Sequence, residues 1–296
     1  MTKGKLYNYF FINMKIIFTT ILLFLLFTNV IYAQSIDEIN DSVSLSSQAT
    51  WIGKSFFQDQ KHIWTSPFRI KKKDLLYLVP IALATTTAIV YDEDIHSNIM
   101  QFKTNNAWVK NVSPVLTYGG EIPMVAGISG AFYITGLVLK DDKAMQTGTI
   151  AGYALVNSAV VVTVLKMIAG RQRPRVNATN KWYGFPESLK QFSGNSSDLY
   201  SSFPSGHSIA VFTLATVIAE QYKQTKIIPI IAYTLASSVA LSRTTENAHW
   251  LSDVIIGSAL GYGIGKYMVK KHGQTKWFLF PSQSGGVLTI TGIYRI

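Results

Sequence analysis

Apolar residues fall along this chain in long runs separated by short polar breaks. The main runs are Leu75–Tyr91, Pro114–Leu139, Thr147–Ile168, Ser208–Tyr222, Ile227–Leu241 and Leu251–Val269. Each is long enough for a helix, and none is separated from the next by an alternating strand pattern. This predicts an all-α fold, a six-helix bundle over residues 74–270. The second run is interrupted by Gly119-Gly120-Glu121, and a loop at 169–204 separates the third from the fourth.

The flanks read differently. Residues 16–32 form an apolar core that follows Lys15 and closes on Ala33-Gln34, the layout of a secretory signal peptide over 1–33, with Met14 a plausible true start. Residues 34–73 are mixed and polar, with Trp51, Phe56, Phe57 and Trp64 spaced for a short amphipathic helix on a domain or membrane surface. The tail, 271–296, carries Ser284-Gly285-Gly286 and then the alternation of Val287 to Tyr294, and is expected to be a short extended C-terminal arm or terminal hairpin.

A membrane span needs about 20 apolar residues. The second and third runs reach that length, and the fourth and fifth fall short. If the leader delivers residue 35 outside and every run crosses, the 169–204 loop lies on the cytoplasmic side. An outward-facing loop would need a non-spanning helix or an entirely extracytoplasmic bundle. Both a membrane-embedded and a peripheral or soluble bundle are compatible with these lengths.

Composition narrows the partners. The formal charge is +11, three of the positive charges being Lys3, Lys5 and Lys15 of the acid-free leader. A surplus of this size favours an anionic substrate or a membrane surface. No basic-aromatic module of nucleic-acid binders occurs, so nucleic acid is not an expected partner. The absence of cysteine excludes disulfides, thiolate metal sites and a Cys nucleophile.

Candidate chemistry gathers at the edges of the apolar runs between 166 and 253. Lys166 ends one run, Gly170 can terminate its helix, and Arg173-Pro174 follows. Arginine's planar fork suits two phosphate oxygens, and lysine adds a compact charge. Arg171 and Arg175 flank the pair and could be solvated. Pro204-Ser205-Gly206-His207 precedes the fourth run: Ser205 is a natural N-cap, Gly206 allows close backbone approach, and the helix start offers amides to an anion. His249 and Asp253 stand one helical turn apart, so the carboxylate can fix the imidazole tautomer and leave the other nitrogen aimed at a substrate. Arg243 adds a further fork. Gly257, Gly261 and Gly265 continue the Asp253 face and would let a neighbouring helix approach closely.

These three clusters (Lys166 with Arg173-Pro174, then Pro204-Ser205-Gly206-His207, then Ser242-Arg243 with His249 and Asp253) resemble the type 2 phosphatidic acid phosphatase family, which shares its site with bacterial acid phosphatases and vanadium haloperoxidases. All three motifs occur in order without substitution, and the helical pattern extends the likeness to roughly 75–270. The resemblance implies a helical bundle of that type. It implies that His249 attacks phosphorus to form a phosphohistidine, that Asp253 orients it, and that His207 protonates the leaving oxygen. Lys166, Arg173, Ser205, Gly206 and Arg243 would bind the non-bridging oxygens. Glu246, inside the third motif, departs from common members and could narrow the substrate range or pair with an arginine.

The expected function is hydrolysis of a lipid phosphate or diphosphate: phosphatidate, phosphatidylglycerol phosphate, polyprenyl diphosphate or a lipid A phosphate. No cofactor is expected, and no metal, because no carboxylate cluster with divalent-cation spacing occurs. A soluble periplasmic acid phosphatase is the alternative, and a vanadium haloperoxidase a more distant one. The expected location is the cell envelope, exported and either periplasmic or membrane-associated. Oligomeric state is not encoded in any recognisable pattern.

Overall fold

The computed structural model describes residues 45–192, 197–273, 276–284 and 287–295, so the expected leader and signal peptide lie outside the described residues. The chain divides into a first unit ending at Thr65 and a second from Ser66 onward. Within the first, Leu45–Trp64 is a helix, α1, in which the Trp64 indole donates to Gln60 Oε1 at 3.0 Å.

The second unit carries α2 (Leu75–Asn105), α3 (Ala107–Tyr118), α4 (Ile122–Leu139), α5 (Asp142–Ala169), α6 (Pro174–Asn177), α7 (Ser197–Tyr200), α8 (Gly206–Gln221), α9 (Ile227–Thr245) and α10 (Leu251–His272). Strands β1 (Lys276–Ser284) and β2 (Val287–Arg295) close the chain as an antiparallel hairpin, with Lys276 opposite Arg295 and Ser284 opposite Val287.

The expected six-helix bundle is therefore corrected. The described residues form ten α-helices, four of them in stretches long and apolar enough to cross a membrane: Lys72–Asn105, Ile122–Leu139, Asp142–Ala169 and Ile227–Thr245. Three physical reasons account for the difference. The apolar run from Pro114 to Leu139 breaks at Gly119-Gly120, giving two helices, α3 and α4. The acidic triplet after Tyr91, which looks like a helix stop, is absorbed into α2 because Asp92 is buried against Arg171 and Glu93 accepts the Asn180 N–H at 2.7 Å. The 169–204 loop contains two short helices of its own, α6 and α7.

The apolar side chains of these long helices explain their length. On α2, Leu76, Tyr77, Leu83 and Val90 face outward, as do Ile122, Ile134 and Val138 on α4 and Ile230 and Leu235 on α9. Such faces, on helices of this length, suit contact with lipid. The protein is membrane-associated, and a soluble bundle does not account for these surfaces.

The core sits behind them. α8 is buried along most of its length, through Ile209, Val211, Leu214, Ala215 and Val217. α10 reaches it through the glycine face: a Cβ at Gly257, Gly261 or Gly265 would stand 2.7, 2.4 or 2.8 Å from the carbonyl oxygens of Ser205, Ile209 and Thr213. At that separation any side chain would force the helices apart.

α2 runs antiparallel to α10, and α5 to α8. α2 begins beside Lys266 and Lys270 of α10, its middle reaches the start of α10 where Asp92 accepts the Ser252 N–H, and its last turn meets the end of α9 through Lys103 and Glu246. α5 starts beside the end of α8, where the Lys143 ammonium lies 4.5 Å from the Tyr222 ring centroid, and finishes at Lys166. One end of the bundle thus holds Lys166, the starts of α8 and α10, and the end of α9. The other end holds the α4–α5 and α8–α9 turns.

Candidate active site

Gly170 ends α5 in the left-handed conformation (φ 53°), with its N–H on the Lys166 carbonyl at 2.9 Å. A Cβ there would lie 2.8 Å from the Gly184 nitrogen, so only glycine allows the sharp exit. The chain then runs extended through Arg171-Gln172-Arg173 to Pro174. Ser201 binds two of the cations: its carbonyl accepts from Lys166 Nζ, and its hydroxyl from Arg173 Nε at 3.1 Å. Asp198 stands 3.6 Å from Arg173 and is paired with Arg175.

Ser205 caps α8, its hydroxyl oxygen accepting from the Ser208 hydroxyl at 2.9 Å, and its N–H reaches the Asp253 carbonyl at 3.1 Å. The first turn of α8 is thereby fixed to the first turn of α10. The Arg243 carbonyl accepts from the Ala248 and His249 N–H groups at 3.1 and 3.2 Å, which folds the end of α9 back over the approach to α10.

Two histidines stand among these cations. His249 and Asp253 are both buried, with His249 Nδ1 3.6 Å from Asp253 Oδ2. That separation is longer than a hydrogen bond, because Asp253 Oδ2 already accepts from the Ser202 hydroxyl at 2.6 Å and the Trp250 N–H at 3.0 Å. His207 is packed against Gly120, where a Cβ would come within 2.7 Å of its Cδ2. The side-chain nitrogens His207 Nε2, His249 Nδ1 and Arg243 Nε are buried with no hydrogen-bond partner among the described residues. Buried polar atoms left in this state mark a place built for a polar ligand.

The electrostatics follow from the crowding of cations. Burial pushes the His207 imidazole down to about 3, and Arg243, Arg173 and Lys166 add to the effect. His249 is held well below its ordinary value by burial and then by Arg173, Lys166, Arg243 and His207. Burial and the neighbouring Arg175 lower Arg173 to about 10. Each cation therefore acts on both imidazoles. Lys166, Arg173, Ser205, Gly206, His207, Arg243, His249 and Asp253 all line this one end of the bundle.

Three supporting residues escaped the sequence reading. Arg171 is fully buried and not solvated: it donates to Asp253 Oδ1 at 2.5 Å, to Asp92 Oδ2 at 2.7 Å and to the Ser252 hydroxyl at 2.7 Å. Its guanidinium lies 4.5 Å from the Trp182 ring centroid. Asp92 comes from the middle of α2 and accepts the Ser252 N–H at 3.2 Å. Gly120 provides the space for His207. A buried partner for Arg171 could have been sought in the acidic triplet at 92–94, but nothing in spacing alone selects Asp92. Glu246 pairs not with an arginine but with Lys103 of α2, at 2.8 Å. Among the described residues no group of three His, Asp or Glu side chains is placed to hold a metal ion.

A lipid A 1-phosphatase from Porphyromonas gingivalis is 26% identical over 200 residues, which is 66% of this chain and 38% of that protein's length. The crystal structure of Aquifex aeolicus LpxE is similar at a TM-score of 0.44 and 18% identity, covering 60% of this chain and 93% of that one. A transmembrane PAP2-type phosphatidylglycerolphosphate phosphatase from Bacillus subtilis gives a TM-score of 0.46 at 17% identity, covering 66% and 96%. The PAP2 superfamily model matches residues 147–277, a span that contains all three motif clusters. Over residues 147–277 the chain is thus similar to the PAP2 superfamily.

Proposed function

We propose that the protein hydrolyses the phosphate or diphosphate group of a membrane lipid through a phosphohistidine, without a metal ion. The observation that carries this is the convergence of Lys166, Arg173 and Arg243 on two buried, neutral imidazoles. Three fixed cations and the amides at the start of α8 match the charge that develops on the non-bridging oxygens. His249 is the nucleophile. Its Nδ1 faces Asp253, so Nε2 forms the bond to phosphorus while the ester P–O bond breaks.

His207 supplies the proton to the departing oxygen. It is neutral in the cation-rich pocket, and the negative charge of an arriving phosphate raises its affinity for that proton. Water then attacks phosphorus, the N–P bond breaks, His207 recovers a proton, and orthophosphate leaves. Arg171 acts through Asp253 and is a positioning residue.

A lipid substrate is supported by the surroundings of the site. Phe102, Trp108, Tyr118, Trp182, Phe185 and Phe192 are exposed at the same end of the bundle, as aromatic residues are at a membrane interface. The likeness to a lipid A 1-phosphatase and a phosphatidylglycerolphosphate phosphatase points to the same substrate class. The outward apolar faces of α2, α4 and α9 disfavour the soluble acid-phosphatase reading.

The test is phosphate release by the purified protein from phosphatidate, phosphatidylglycerol phosphate, a polyprenyl diphosphate and lipid A. Turnover should persist in chelator, stop with vanadate, and vanish in His249→Ala. Full activity in that variant would remove the nucleophile assignment, and loss in chelator would remove metal independence.

A further inference from the structure

A groove of about 650 Å³ lies between the start of α2 and the end of α10, at the end of the bundle away from the candidate site. Tyr77 in the groove and Asp92 beside the site are 15 residues apart on α2, which places the groove roughly 20 Å from the chemistry. Lys73, Lys266 and Lys270 line it with Leu76, Tyr77 and Tyr267. The one acid there, Asp74, turns its carboxylate onto the Lys71 N–H at 2.9 Å, so its charge is directed at its own helix turn. Lys266 is anchored by the Tyr262 hydroxyl at 3.0 Å and by Glu220 at 3.6 Å. Gly263 forms a notch in α10, where an added Cβ would meet nothing within 4 Å.

We propose that this groove holds the phosphate headgroup of an anionic phospholipid from the leaflet opposite the candidate site. Lys73 and Lys270, with Lys266 shared with Glu220 and the Asp74 carboxylate engaged by its own turn, leave a positive surplus that selects a negative headgroup. The exposed Leu76 and Tyr77 and the notch at Gly263 give an acyl chain an apolar path beside it. Basic pockets between transmembrane helices recognise anionic lipids in this way. One wall of the groove is the first turn of α2, a membrane-length helix, so a lipid would reach it laterally from its own leaflet. The inference rests on the membrane placement and not on the phosphatase reading.

The test is native mass spectrometry of the full chain from mixed micelles of phosphatidylglycerol and phosphatidylcholine, with saturating vanadate present to block lipid at the catalytic pocket. The expected result is one retained phosphatidylglycerol per chain. Retention should fall about tenfold in Lys73→Gln/Lys270→Gln and in Gly263→Leu, whose Cβ has open space and whose side chain extends into the notch. Hydrolysis of a soluble phosphomonoester by these variants should stay unchanged, which separates failure of this site from failure of the other. Equal retention of the two lipids, or retention unaffected by the substitutions, overturns the proposal.

Discussion

Arg171 holds Asp253 at 2.5 Å with both side chains fully buried, and the same guanidinium reaches Asp92 at 2.7 Å. One cation from the loop after α5 thus bridges the middle of α2 to the first turn of α10. Two buried carboxylates share one guanidinium; the Ser202 hydroxyl and the Trp250 N–H donate to Asp253, and the Ser252 hydroxyl and N–H donate to Asp92. The Asp253 carboxylate is fixed before it ever addresses His249.

Removing that cation strands two buried carboxylates. Arg171→Ala is expected to cost about 3–5 kcal/mol of stability, the cost of breaking a buried ion pair from one side. Arg171→Lys keeps the charge but loses the planar fork that reaches both acids. Its expected signature is a folded protein with kcat down by about 10²-fold and KM nearly unchanged. Thermal unfolding in detergent and steady-state kinetics read the two effects separately.

Gly120 sets the position of His207. A Cβ at 120 would sit 2.7 Å from the ring's Cδ2 and 2.9 Å from a Val239 methyl. Gly120→Ala should displace the imidazole and lower kcat by about 10²-fold. The loss should be smaller for a substrate with an acidic leaving group, such as a nitrophenyl ester, which needs no proton. An equal loss on both substrates would show that the effect is not on proton delivery.

Acid should destabilise the fold through the same histidine. His207 binds its proton more weakly in the folded state, at about 3, than in the unfolded chain, near 6.5. Between those values the unfolded chain carries more protons, so stability is lost as pH falls through this window. Unfolding midpoints measured from pH 7 to 4 should drop less steeply in His207→Gln than in the parent. Added orthophosphate should stabilise the parent by binding the folded state alone.

The glycine face of α10 makes a packing forecast. Gly261→Ala would bring a methyl group to 2.4 Å from the Ile209 carbonyl and 2.9 Å from Phe212 Cβ. A cost of about 1–3 kcal/mol is expected from the forced separation of α8 and α10. Gly263→Ala, two positions away on the outer face, should be neutral or mildly stabilising. Denaturation of the two variants side by side tests the asymmetry.

Sidedness can be read by single-cysteine labelling, since the native chain has no thiol. Lysines and arginines gather on the end away from the site: Lys71–Lys73, Lys140 with Lys143, Lys223 with Lys226, and Lys266 with Lys270. Cations at the site end are mostly buried in the pocket or paired with acids, as Arg171, Arg175 and Lys103 are. By the positive-inside rule the candidate site is expected on the outer face. A membrane-impermeant maleimide should label Lys190→Cys and spare Lys226→Cys in intact cells. The reverse labelling pattern would overturn this expectation.

How much of this was legible beforehand depended on distance along the chain. His249 and Asp253 are one helical turn apart, and Ser205-Gly206-His207 sits at a helix start, so local spacing carries their meaning. The glycine spacing of α10 likewise announced a close helix neighbour. Arg171 and Asp92 lie 79 positions apart, and either could have been an ordinary surface charge. Gly120 looked like a break between helices because its neighbour, His207, comes from another helix. The length of α2 was misjudged for the same reason: the acids after Tyr91 read as a stop until their buried partners appear. Membrane contact could not be decided from run lengths alone, because it depends on which faces the other helices leave uncovered.

The burial of α8 has one more consequence. Ser205, Gly206 and His207 open a helix of 16 residues that is shielded by its neighbours, while α2, α4, α5 and α9 meet the acyl chains. Hydrophobic mismatch with a thicker or thinner bilayer is therefore absorbed by tilt of the outer helices. His207 thus rides on an insulated inner strut, which is expected to hold its place while the host membrane changes its lipid composition.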